Sequence, residues 1–309
     1  MKCLAFCTLL SMGFLLSART PAPGDPLLAA TPTNMESTFL LWRDAYRLRD
    51  TEIQMNVQPM VAAMVARNFI DGTAQLAGMN RDLKPEEVSA FTARWGYPPT
   101  RITVGLNALV VMVHKQNPIQ KVKVEQLDAA WSTTRLLKWP GDAATWGDLG
   151  VTDRAWKARP ILRVGRPEGA GLRDDFIHTI LKDGKPKADT RHGVDGMEVY
   201  RMVLAEPGAM GYGDLSEIYE GVRPLPIVPQ GGSAAVAPTA ATVADGSYPF
   251  VRGIYIYLNK APGKALNPRI TAFMEFVLSQ DGQNQVRLNG MVPLPPDLVR
   301  GNLRRVATQ

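Results

Sequence analysis

The strongest constraint on this chain's fold is a repeated unit of strand, polar turn and helix. It opens at Leu27 to Ala30, a short apolar run suited to a buried strand. Thr31-Pro32-Thr33-Asn34 makes a turn, and Phe39, Trp42, Ala45 and Tyr46 then recur at helical spacing. Ile53 to Val57 alternates like a second strand. Pro59 suits a first helical position, and Val61, Val65 and Phe69 make a four-residue stripe closed by Asp71-Gly72. Gln75 to Met79 is a third strand, ending in Asn80-Arg81. Strands alternating with helices predict an α/β architecture with a largely parallel sheet.

The same grammar continues. Residues 103–113 form a longer apolar strand, and Val124 to Trp131 a helix. Residues 138–150 are rich in turns. Ile161 to Val164 is a strand that leads into the loop Gly165 to Gly171, and Leu172, Phe176 and Ile180 recur beyond it as a helix. Residues 229–247 are low in complexity and read as a surface loop. Ile254 to Leu258 is a clear strand. Asn267-Pro268 caps a helix whose buried face is Ile270, Phe273, Met274 and Val277. Asp281 to Leu288 is a further short helix closed by Asn289-Gly290. Arg300, Arg304 and Arg305 fall in a tail.

A length of 309 residues suits two lobes of ordinary domain size and needs no disulfide or metal staple. Residues 1–18 read as a signal peptide: Lys2, an apolar run from Cys3 to Leu16, then small Ser17-Ala18. The alternative is an uncleaved membrane anchor or a buried N-terminal helix. Both cysteines, Cys3 and Cys7, lie inside the segment, so if it is removed the mature chain has none, which excludes disulfides and thiol catalysis. The net charge of +6 is scattered rather than clustered, which argues against a nucleic-acid partner and leaves room for an anionic ligand. His114, His178 and His192 have no ligand-spaced partners, so no metal, cofactor or catalytic set is expected. The acid pairs Glu86-Glu87 and Asp174-Asp175 read as solvated helix faces.

Three loops stand at strand ends, where open α/β sheets take ligands. They are Thr33-Asn34, Asn80-Arg81, and Arg166 with Gly169 to Leu172. The first and third precede helices, whose free N–H groups and dipole favour an anion. Arginine adds a planar fork of donors, and glycine lets backbone approach a ligand. The residues themselves allow an equal alternative, that Arg81 and Arg166 are surface arginines beside ordinary turns.

Four segments resemble the phosphate-binding components of ABC importers. The strongest is YPFVRGIYIYLNKAPGKALNPRITAFMEFVLSQDGQNQVRLNGMVPL at 248–294. The others are TWGDLG at 145–150 with the stretch from Arg166 to Phe176, DGTAQLAGMNRDLKPEE at 71–87, and PGAMGY at 207–212. The resemblance implies a two-lobed periplasmic-binding-protein (Venus-flytrap) fold with mixed sheets flanked by helices. Lobe one would combine 27–105 with 252–309, and lobe two would be 106–251, with crossovers near 103–113 and 253–259. It implies an exported, non-enzymatic, monomeric periplasmic protein that closes on inorganic phosphate or a related oxyanion and serves an importer permease. The ligand-binding set it implies is Thr33, Asn34, Asn80, Arg81, Arg166, Gly169 and Gly171.

The pattern departs from the family at the hydroxyl residues. Val61-Ala62-Ala63 stands where the family has Gly-Ser-Gly, Asn80 where it has an acid or serine, and Ala170 and Leu172 where it has Ser and Thr. A lost hydrogen bond to a buried charge costs about 1.5–3 kcal/mol. Three lost hydroxyls therefore weaken binding by about three to six decades unless other groups compensate. This motivates a second reading, a sensory or interaction module that has given up tight phosphate binding. A hydrolase on the same fold is a third, weaker reading, because no acid–base pair or metal set is visible.

Overall fold

The computed structural model describes residues 26–307. The signal-peptide assignment of 1–18 lies outside the described residues. In chain order the elements are β1 (Leu27–Pro32), a 3-10 turn (Thr33–Met35), α1 (Glu36–Arg47), β2 (Met55–Met60), α2 (Ala62–Ile70), β3 (Leu76–Met79) and α3 (Pro85–Trp95). Then come β4 (Thr100–His114), β5 (Val122–Lys123), α4 (Val124–Trp131), β6 (Leu162–Gly165), α5 (Gly171–Thr179), β7 (Arg191–His192) and α6 (Gly196–Ala205). The chain continues through β8 (Ala209–Asp214), β9 (Val222–Pro224), β10 (Ile227–Val228), α7 (Ala240–Ala244), β11 (Val251–Leu258), α8 (Pro268–Leu278), α9 (Gln280–Leu288) and α10 (Pro296–Ala307).

The main sheet runs β2-β1-β3-β11-β4-β8-β6-β7, with β9 also on β4. It is mixed rather than largely parallel. β1 pairs parallel with β2 and β3, and β6 parallel with β7 and β8. β11 and β4 run against their neighbours. The reason is connectivity, because these two strands carry the chain between two βα groups rather than winding within one.

β4 is the joint. Residues Thr100 to Ala108 pair with β11, and Leu109 to His114 pair with β8 and β9. One strand thus serves two sheet halves, with a seam between Ala108 and Leu109. Its inner stretch is buried on both faces, which is why it reads as a near-continuous apolar run. One apolar cluster continues beneath both halves, from Phe39 and Trp42 under α1 to Trp131 and Phe176 under α4 and α5. Two smaller clusters fill the outer layers, one around Phe69 and Phe91, one around Val199 and Val203. Burying such side chains contributes about 1.5–3 kcal/mol each.

Several local expectations are corrected. Pro59 lies inside β2, opposite Thr31, not at a helix start. β2 is an edge strand, and a residue without an N–H is tolerated there. Val61 is the exposed N-cap of α2, so the buried stripe is Val65 and Phe69 only. The basic tail is the helix α10, held by buried Asn302 and Val306, with Asn302 Nδ2 donating to Thr103 O at 2.9 Å. The loop 229–247 contains α7, capped by Thr239. No helix among the described residues is long and apolar enough to cross a membrane.

Candidate functional site

The Arg166 loop is set by what lies beneath it. β6 ends at Gly165, packed against the Tyr212 ring, and a Cβ there would sit 2.5 Å from Tyr212 Cε1. Tyr212 stacks on Phe176 at 4.0 Å, and both meet the edge of Trp131. The Tyr212 hydroxyl accepts from the Arg166 backbone N–H at 3.0 Å. The backbone of Arg166 is thereby pinned to the aromatic core. Its guanidinium donates from Nη2 to Val194 O at 3.2 Å, while Nε is buried without a partner. Gly169 takes a positive φ of 83°, which turns the loop into α5. Ala170 is the N-cap and makes no side-chain cap, and Gly171, the first residue of α5, is exposed. Leu172 is buried beside Phe176 and belongs to the core.

The first and second loops meet. Thr33 and Asn34 are exposed in the 3-10 turn after β1, and Asn80 follows β3. Asn80 Nδ2 donates to Asn34 Oδ1 at 3.3 Å. The close approach of β3 to α1 allows this, because Gly78 lies under the Phe39 ring, where a Cβ would be 2.5 Å from Cε2.

Arg81 is engaged within its own half. Its two terminal nitrogens grip Glu87 Oε2 and Oε1, each at 2.8 Å, and Nη1 also donates to Asp82 O. The Glu87 hydrogen bond raises the Arg81 pKa. Burial works against ionised Glu87, but bonds from Arg81 and the Lys84 N–H outweigh it and hold the carboxyl below its usual range. The structure thus brings Asn34 and Asn80 together, places Arg166 before the uncapped start of α5, and ties Arg81 to a carboxylate.

Sequence reasoning missed a charged cluster beside these loops. Arg252, at the start of β11, reaches Asp214 Oδ1 with Nη1 and Asp175 Oδ2 with Nη2, both at 2.6 Å. Its Nη2 also donates to Asn80 O at 3.0 Å. Glu217 Oε2 accepts from the Asp214 N–H at 3.0 Å. The Glu217 carboxyl lies against Gly196 at the start of α6 and against Gly213. Burial and the charge of Asp214 push the Glu217 pKa up to about 7, although Arg166 and Arg252 pull against them. Burial also raises Asp175, with Arg252 opposing. The expectation that both acid pairs are solvated faces is therefore half corrected: Glu87 and Asp175 each hold an arginine. The available signal was a lone arginine in the apolar strand run Val251 to Leu258.

Among the described residues no group of His, Cys, Asp and Glu could hold a metal ion. His114 is buried and accepts from the Gln116 N–H through Nδ1 at 3.1 Å; His178 is exposed beside Asp183.

Comparison with known proteins places the chain. Residues 17–281 match the model of the PBP superfamily domain. The phosphate-binding protein PstS of Pseudomonas aeruginosa is 32% identical over 261 residues, covering 84% of this chain and 80% of that protein. Protein SphX of Synechococcus elongatus is 27% identical over 263 residues, covering 82% and 72%. Among solved structures, a putative phosphate ABC transporter substrate-binding protein with bound phosphate from Clostridium perfringens superposes with a TM-score of 0.66. It is 19% identical and covers 88% of this chain and all of that one, at 100%. An ABC-type phosphate transport receptor from Vibrio cholerae gives the same TM-score of 0.66 at 16% identity, covering 87% and 100%. Their two-lobed fold is the fold of this chain. By domain match and by identity over most of its length, the chain belongs to the periplasmic phosphate-binding protein family of the PBP superfamily.

Proposed function

We propose that this protein is an exported, non-enzymatic receptor that binds phosphate or a related oxyanion in a cleft between two lobes and hands it to an ABC importer permease. The lobes are 27–105 with 252–309, and 106–251, and they meet at the seam of β4. The observation that carries the reading is the Arg166 loop. A guanidinium with a buried, unpartnered Nε precedes a helix start without a side-chain cap, and both suit an anion. Thr33, Asn34 and Asn80 supply neutral polar groups from the other lobe, and Gly169 and Gly171 let the backbone approach. Glu87 already fills the Arg81 fork and balances its charge, so Arg81 joins the site only where an anion displaces that carboxylate.

Titration calorimetry on the chain without residues 1–18 tests this reading. Phosphate, sulfate, phosphonates and organic phosphates are compared, and one of them binds in the micromolar range or tighter. Arg166→Ala abolishes that heat. No heat from any of them rejects the reading.

The engagement of Arg81 and Arg252 by carboxylates, with alanine and leucine at the hydroxyl positions, favours one competitor. This is an interaction module without a tight small ligand. Capture of a protein partner by a chain that gives no anion heat would support it.

A further inference from the structure

Arg252 lies opposite Asn107 of β4, close to the seam where β4 passes from β11 to β8. Its guanidinium is braced on Asn80 O, at the end of β3, and reaches two carboxylates of the other half. The arginine side chain is 12% exposed, that of Asp214 6% and that of Asp175 34%. Charge-assisted bonds from one planar fork, largely withdrawn from water, are strong and demand one geometry.

The two carboxylates differ in what they are attached to. Asp214 ends β8 and is paired with Leu109 of β4, so it stays beside the seam in any hinge motion. Asp175 sits on α5, in the same helix whose start carries the Arg166 loop. A hinge at the seam would move Asp175 away from Arg252 while leaving Asp214 near it. Every contact in the link is between protein atoms, so it draws the halves together with no ligand between them. With two carboxylates on one guanidinium, the closed link also presents no net positive charge to an incoming anion.

We propose that the Arg252–Asp175 pair is an interlobe latch, a positioning device that closes the cleft by itself and sets how fast an anion enters. Asp175 acts as a built-in competitor: it holds Nη2, the arginine nitrogen that the open cleft would offer to the ligand, while Nη1 stays with Asp214. An anion enters only from the unlatched form, so its apparent association rate scales with the unlatched fraction. This inference rests on the two-lobe reading above and adds a residue pair that reading does not use.

Small-angle X-ray scattering on the protein stripped of anions by dialysis tests the latch, with Asp175→Asn as the variant. The substituted amide cannot supply the charge, but it keeps the size of the side chain and leaves Arg252–Asp214 intact, and circular dichroism checks that the variant folds. The wild type has the same radius of gyration without phosphate and with saturating phosphate. D175N is larger without phosphate and contracts when phosphate is added. Stopped-flow fluorescence shows phosphate entering D175N about tenfold faster or more, the scale of one charge-assisted bond. A stripped wild type as expanded as stripped D175N overturns the latch, as does an unchanged entry rate. If neither protein binds phosphate, the binding reading fails, while the comparison of the two stripped proteins still decides the latch.

Discussion

Two arginines flank the end of β3, and each is held by one member of an adjacent acid pair: Arg81 by Glu87 and Arg252 by Asp175. Neighbouring residues on a helix point about 100° apart, so one acid can face inward while its neighbour faces water. Here the inner ones found guanidinium partners. Arg252 matters most for stability because Asp214, nearly sealed from solvent, depends on it. Arg252→Ala strands that carboxylate and costs about 3–5 kcal/mol in urea unfolding, whereas replacing Asp175 costs far less. Glu217 gives a pH signature. Its folded pKa stands at about 7 against an ordinary 4.5, with Asp214, Arg166 and Arg252 facing it. The folded state therefore keeps the proton longer than the unfolded one. That contribution is complete below about pH 4.5 and is lost as pH rises through 7, a swing of about 3 kcal/mol. Thermal melts of wild type against Glu217→Gln should show the wild type losing ground across that window and running parallel above it. Parallel curves throughout would contradict the burial of this carboxyl. None of this was legible in the sequence, because a pair of acids on a helix gives no sign of which one meets an arginine that the fold brings in from a distant strand.

The start of α5 shows how local sequence and tertiary packing share the work. The strand could be read from the run Ile161 to Val164, the loop from its glycines, and the helix from the spacing of Leu172, Phe176 and Ile180, which are all buried. The support from Tyr212 could not, since it arrives from β8 and fits only because residue 165 lacks a Cβ. Gly165→Ala forces the Tyr212 ring aside. It costs about 1–3 kcal/mol in stability, and it lowers anion affinity by loosening the Arg166 backbone. Calorimetry and melting on the same variant separate the two effects. A variant with full affinity would show that the Tyr212 bond does not position the loop. Elements whose burial follows one simple period were readable, including α1 and α8. Pro59 misled because an edge strand tolerates the residue that also opens helices. The α10 helix was read as a tail because its charged residues hide the narrow stripe formed by Asn302 and Val306.

At the level of the whole chain, the seam in β4 lets one strand of 15 residues serve two sheet halves. The α/β class was visible in the alternation of elements, and the mixed sheet followed from the family resemblance. The antiparallel placement of β4 and β11 was not visible in the alternation, since pairing direction depends on where the chain crosses over. Arg252 joins Asn80, just after β3, to Asp175 of α5, and the proposed cleft sets Asn34 and Asn80 on one side and Arg166 with the α5 start on the other. A crystal structure grown with phosphate examines that cleft. The account predicts an anion bonded to the Arg166 guanidinium and to N–H groups at the start of α5, within reach of Asn34 or Asn80. A structure in saturating phosphate with no anion there, or with anions only on the outer surface, would contradict it.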